Sequence, residues 1–100
     1  MPEMSSQRVF AAMNYRITQL IDTEGVVVFR VSGRMQWDAL DVLRELLDQE
    51  KTRVAIDLEE VSLVDREVVA FFVGSETSGI EIRNCPTYIR EWIDQERRTK

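Results

Sequence analysis

The chain has no histidine, a single cysteine and only four glycines among its 100 residues. Each shortage removes chemistry. Without imidazole the common general base near neutral pH is missing, as is the usual ligand for zinc or copper. Neither a Ser-His-Asp nor a Cys-His arrangement can be assembled within the chain. Gly25, Gly33, Gly74 and Gly79 lie too far apart for a glycine-rich phosphate loop. Cys85 has no mate for an internal disulfide, which suits a reducing, cytoplasmic setting. No run of 18 apolar residues occurs, so no membrane insertion is expected, and Met1 to Asn14 lacks the apolar stretch of a signal peptide. Positive charge is also in short supply. Thirteen Lys and Arg against 18 Asp and Glu leave a net charge of −5, which argues against nucleic acid as a partner.

What is present is enough for one core. A hydrophobic content of 44% over this length supports a single compact domain, read here as residues 15–96. Residues 1–14 mix polar and small side chains without a period and are expected to form a loose lead-in, with a turn of helix near Val9 to Met13. Arg97, Arg98 and Lys100 make a basic tail over residues 97–100, expected to be solvated.

Within the domain the hydrophobic period changes repeatedly. Tyr15 to Ile21 alternates apolar and polar residues, the pattern of a half-buried strand. Asp22-Thr23-Glu24-Gly25 is turn chemistry, and Val26 to Val31 is a β-branched run that should form the central strand of a hairpin. Gly33 is expected to break that strand. A helix follows over Gln36 to Gln49, its apolar stripe formed by Trp37, Leu40, Leu43 and Leu47. Arg53 to Leu58 reads as a short buried strand, and Glu59 to Asp65 as an acidic loop. Asp65 is placed to cap a second helix, Arg66 to Thr77, ended by Ser78-Gly79. A last strand spans Ile80 to Asn84. Pro86 suits the first position of a third helix, Thr87 to Glu96, whose apolar face holds Tyr88, Ile89, Trp92 and Ile93. The order β-β-α-β-α-β-α predicts an α/β fold: a four-stranded mixed sheet with helices packed on one face.

The pieces Val28-Phe29-Arg30-Val31-Ser32-Gly33-Arg34-Met35, Val54-Ala55-Ile56-Asp57-Leu58 with Val61-Ser62-Leu63-Val64-Asp65, and Ile80-Glu81-Ile82 resemble, in order and spacing, the STAS domain. That family includes anti-sigma factor antagonists and the cytoplasmic domains of sulphate transporters, and the likeness covers roughly Tyr15 to Ile93. In it a Ser or Thr directly follows the aspartate matched by Asp65, usually with another hydroxyl residue and a glycine behind it. A partner kinase phosphorylates that hydroxyl and thereby disfavours docking. Here the three positions are Arg66, Glu67 and Val68. The resemblance therefore implies a divergent, switchless member: nothing at the helix start can accept phosphate.

The candidate partner-binding residues are Asp57, Asp65, Arg66, Glu67 and Val68, on the expectation that Arg66 and Glu67 form a charged pair at an exposed helix start. Against this stands the plainer reading of a solvated first turn. Asp57 would then serve only to bond backbone N–H groups of the Glu59 to Asp65 loop. Asp57, Glu59, Glu60 and Asp65 lack the close alternate spacing of a cation loop, so no metal and no cofactor is expected. Trp37 and Trp92 are expected as core anchors. Phe71 and Phe72 are neighbours that point to different sides of a helix; both can be buried only if the helix is covered nearly all round, so one of them is expected to contribute to an interface.

The function these readings imply is a non-catalytic protein-interaction module of STAS type, in the manner of a bacterial anti-sigma factor antagonist without the phosphorylation switch. Its partner would be an anti-sigma-like protein, a transporter subunit or a second copy of the chain. An accessory subunit of a lipid or anion transporter is the alternative within the family. A thiol enzyme built on Cys85 is the alternative outside it.

Overall fold

The computed structural model describes residues 7–99. Residues Met1 to Ser6 of the expected lead-in, and Lys100 of the basic tail, lie outside the described residues. Five strands and three helices follow in the order β1 (Arg8–Ala11), β2 (Tyr15–Ile21), β3 (Val27–Met35), α1 (Trp37–Asp48), β4 (Val54–Val64), α2 (Arg66–Thr77), β5 (Glu81–Arg83) and α3 (Thr87–Arg98). The class is α/β, as expected, but the sheet has five strands and not four. The fifth is β1, where a turn of helix was anticipated. It pairs antiparallel with β2, Phe10 facing Ile17. One apolar residue, Phe10, half-buried against the core, is enough to seat this short edge strand.

The strands lie in the order β1-β2-β3-β4-β5, antiparallel from β1 to β3 and parallel from β3 to β5. Alternation gives the sheet two different faces. One buries Ile17, Phe29, Val31, Ile56 and Leu58 against Leu40 and Leu43 of α1, Val69 and Phe72 of α2, and Ile89 and Ile93 of α3. The other buries the small apolar cluster Val26, Val28 and Ala55, with Leu20 beside it and no helical residue in it, together with the carboxylate of Asp57. All three helices therefore cover a single face. Leu43 is fully buried, and Leu47 and Trp92 are half-buried at the margin of the core.

Two corrections concern the long strands. Gly33 does not end β3, which continues to Met35. It passes through Gly33 at φ +91, where a Cβ would come within 2.5 Å of the Asn14 carbonyl oxygen, so glycine permits the β1–β2 turn to close against the strand. Likewise the segment from Glu59 to Val64 is not an acidic loop but the second half of an 11-residue β4. It pairs with the end of β3 through Ser32–Glu60, Gly33–Val61, Arg34–Leu63 and Met35–Val64. Two register shifts in β4 convert the usual alternation into burial at Leu58, Val61 and Val64, leaving Glu59, Glu60, Ser62 and Leu63 exposed. The carboxylates are tolerated because they point to solvent from a strand that stays anchored by every third residue.

Helix α2 has the expected bounds, and Gly79 takes φ +94 just beyond it. Helix α1 loses Trp37 from its stripe. As the first helical residue, its side chain leans back past the end of the sheet and is 66% exposed, while Ala39 and Leu46 complete the buried face. Pro86 is the N-cap of α3 and not its first residue, and α3 extends through Arg98. The basic tail is thus partly helix: Arg97 donates to Glu76 at 2.6 Å, so it is not free in solvent. No helix among the described residues is long and apolar enough to cross a membrane.

Because α1 and α2 directly follow the parallel strands β3 and β4, which end side by side at Met35 and Val64, their N-termini lie at one end of the sheet, whereas β5 ends opposite Asp57, short of it.

Candidate functional site

The end where α1 and α2 start holds most of the residues singled out from the sequence. Asp65 follows the last residue of β4 and caps α2: its Oδ1 accepts from the Val68 N–H at 3.0 Å. This satisfies one of the free donors of the first turn and sets a carboxylate at the positive end of the helix dipole. The cap holds the next two residues outward, and both Arg66 and Glu67 are exposed.

These two do not pair with each other. Arg66 Nε lies 3.6 Å from Glu96 Oε2, at the far end of α3, with the Arg66 side chain 78% exposed. At that distance and exposure the contact is a loose surface pair, worth at most about 1 kcal/mol. The guanidinium is available to another carboxylate at little cost. Glu67 takes part in no ion pair among the described residues. Val68 turns the other way and is fully buried in the core, so it offers no surface to a partner. Its larger side chain fills the space beneath the helix start.

Asp57 also sits inside the protein, on the sheet face that the helices leave open. Its Oδ1 accepts from the Glu59 N–H at 2.9 Å and its Oδ2 from Asn84 Nδ2 at 3.0 Å. Arg30 Nε stands 3.7 Å from Oδ2, near enough for attraction but too far for a hydrogen bond, and finds no other acceptor. The carboxylate therefore tucks in the first register shift of β4 and ties it to the chain leaving β5, where Asn84 has φ 53. One backbone N–H bond is what the plainer reading anticipated. The tie to Asn84 was not, since nothing local in the sequence links the two. Asp57 is a buried structural group and not a docking surface.

Aromatic residues occupy the same end. Tyr88, one residue into α3, donates its hydroxyl to the Ser62 carbonyl of β4 at 3.2 Å while nearly half its surface stays exposed. Trp37 starts α1, and Leu63 is the last residue but one of β4. The sequence showed these as core anchors or left them unremarked. Their exposure follows from position, because each stands where a helix or strand ends and the core no longer lies beneath it.

Among the described residues no group of three or more His, Cys, Asp or Glu is arranged to hold a metal ion. Cys85 is half-buried just before α3, and burial pushes its thiol up, with the attraction of Arg90 only partly opposing. The shift is away from the thiolate that nucleophilic chemistry needs. Two open grooves run between helices, one of about 330 Å³ beside Arg44, Phe71 and Ile80, the other of about 550 Å³ beside Val73, Thr77 and Arg97. Neither includes Asp65, Arg66 or Glu67. In the first, Phe71 lies half-buried with the Arg44 guanidinium 5.4 Å from its ring centre, while Phe72 is fully buried.

No protein-family model and no curated protein matches the chain.

Proposed function

We propose that the protein is a non-catalytic interaction module of STAS type, a bacterial, cytoplasmic regulator in the manner of an anti-sigma factor antagonist, which docks a protein partner through the start of α2. The observation that carries this reading is the company Arg66 and Glu67 keep. A capped helix start presents two exposed charges, and exposed Trp37, Leu63 and Tyr88 stand at the same end of the sheet. Aromatic residues and arginine are the side chains most enriched at the centres of protein interfaces. A partner carboxylate can take both terminal nitrogens of Arg66 at once, a geometry lysine cannot reproduce. The order of strands and helices around this end is consistent with the STAS resemblance, and the absence of a hydroxyl at positions 66 to 68 makes the docking constitutive at that point.

A photo-reactive amino acid in place of Glu67 tests the location, with Thr23 in the turn before β3, at the opposite end of the molecule, as control. The expected result in a native lysate is one dominant adduct from position 67 and none from position 23. Equal adducts at both positions, or adducts only at 23, contradict the reading.

A further inference from the structure

The sheet face that no helix covers sorts its charge by strand. Alternation places Arg16 of β2 and Arg34 of β3 on that face, and the register pairs Ser32 with Glu60 and Arg34 with Leu63 of β4. Cations thus stand on β2 and β3, and the exposed carboxylates Glu59 and Glu60 on β4. Among the described residues none of Arg16, Arg34, Glu59 and Glu60 enters an ion pair, although the register places Arg16, Arg34 and Glu60 on one surface. Apolar surface borders them: Leu63 is 45% exposed and Val9, facing the same way from β1, is 54% exposed.

We propose that this face is the contact between two copies of the chain. A two-fold axis running along the strands, between β3 and β4, lays β3 of one copy over β4 of the other. Each Arg34 then lies at the level of Leu63 of the second copy, the residue beside it in the register, and reaches back along the strand to Glu60, which is level with Ser32; the same pair forms twice, as a two-fold interface requires. Stacked sheets lie about 10 Å apart, a gap that arginine and glutamate side chains reaching from both sides can close. The two Leu63 side chains fall beside these pairs and lose water on contact. A partner of uniform charge would match one column and repel the other, whereas a second copy matches both. Its charged columns lie apart from Arg66 and Glu67, with Leu63 alone common to both surfaces, so the inference does not depend on the docking reading above.

Sedimentation equilibrium of the full chain tests it, with circular dichroism to verify folding of each variant. The expected wild-type behaviour is a monomer–dimer equilibrium that weakens as salt rises. Arg34→Glu and Glu60→Arg should each weaken the dimer at least about tenfold, and the double variant should recover most of that loss. Leu63→Ser, which changes no charge, should also weaken it, and Arg66→Ala should not. A wild type that stays monomeric at every concentration overturns the proposal. So does a dimer indifferent to both charge reversals, or one lost with Arg66→Ala.

Discussion

The two faces of the sheet are built from the same strands and held by different physics. Toward the helices, Phe29, Val31, Ile56 and Leu58 meet Leu43, Phe72 and Ile93 in a continuous apolar layer. Away from them, Arg30, Asp57, Asn84, Arg83 and Asp22 form a sparse set of polar ties. The first face stabilises through the loss of apolar surface from water, which is additive over many atoms and indifferent to direction. The second depends on a few bonds of fixed geometry, each modest in net terms and costly when a buried partner is left alone. What the comparison teaches is where tolerance lies. The covered face should resist polar change everywhere, and the open face should be sensitive at Asp57 and permissive around it.

The largest effect expected is therefore on the covered face. Phe72→Ala should cost about 3–5 kcal/mol in urea unfolding, since the ring is fully buried between α2 and the sheet. A loss below about 1 kcal/mol would break the contrast. Gly33→Ala comes next, at about 1–3 kcal/mol, because it adds a positive-φ penalty and a backbone clash with Asn14. On the open face, Asp57→Ala should cost about 1–3 kcal/mol by stranding the Glu59 N–H and the Asn84 amide. The exposed neighbour Glu60→Ala should stay within about 0.5 kcal/mol of wild type. If the two carboxylates proved equally important, the division between structural and solvated acid would fail.

A smaller effect belongs to neither face but to the seam between α2 and α3. Glu76 accepts from Arg90 through both oxygens and from Arg97, and these bonds, Arg90 first, hold its carboxyl below the ordinary glutamate range. A carboxylate depressed in the folded state contributes stability above its unfolded value and loses it as pH falls through the folded one. Glu76→Gln should thus cost about 1 kcal/mol near neutral pH, and the gap from wild type should close as the pH drops below the ordinary glutamate range. A gap that stays constant into strong acid would show that the ion pairs contribute nothing.

The covered face was legible in the sequence and the open one was not. Leu40, Leu43, Val69, Phe72 and Ile89 announce themselves through periods of three and four, and Asp65, with its cap three residues from Val68, is a wholly local signal. The second half of β4 was hidden because Glu59-Glu60 looks like a loop, and its three-residue burial period comes from register shifts against β3 that only pairing reveals. Strand β1 offered one half-buried residue, too little to stand above its polar surroundings. The partners of Arg66 and Asp57 were out of reach for the same reason: Glu96 and Asn84 arrive through tertiary folding, and no spacing in the chain points to them. The candidate residues could be proposed from sequence, but whether each is exposed or lies in the core could not.

Whether the exposed ones face a partner can be measured in one titration. The protein crosslinked at position 67 would be purified and titrated calorimetrically with wild type, Arg66→Ala and Trp37→Ala, each first shown by urea unfolding to be as stable as wild type within about 0.5 kcal/mol. If the start of α2 is the docking centre, Arg66→Ala should weaken binding by about 2 kcal/mol and Trp37→Ala by a comparable amount, with the deficits persisting in high salt because the contacts are desolvated. Equal affinity for all three proteins would contradict the account and move the interface to another surface.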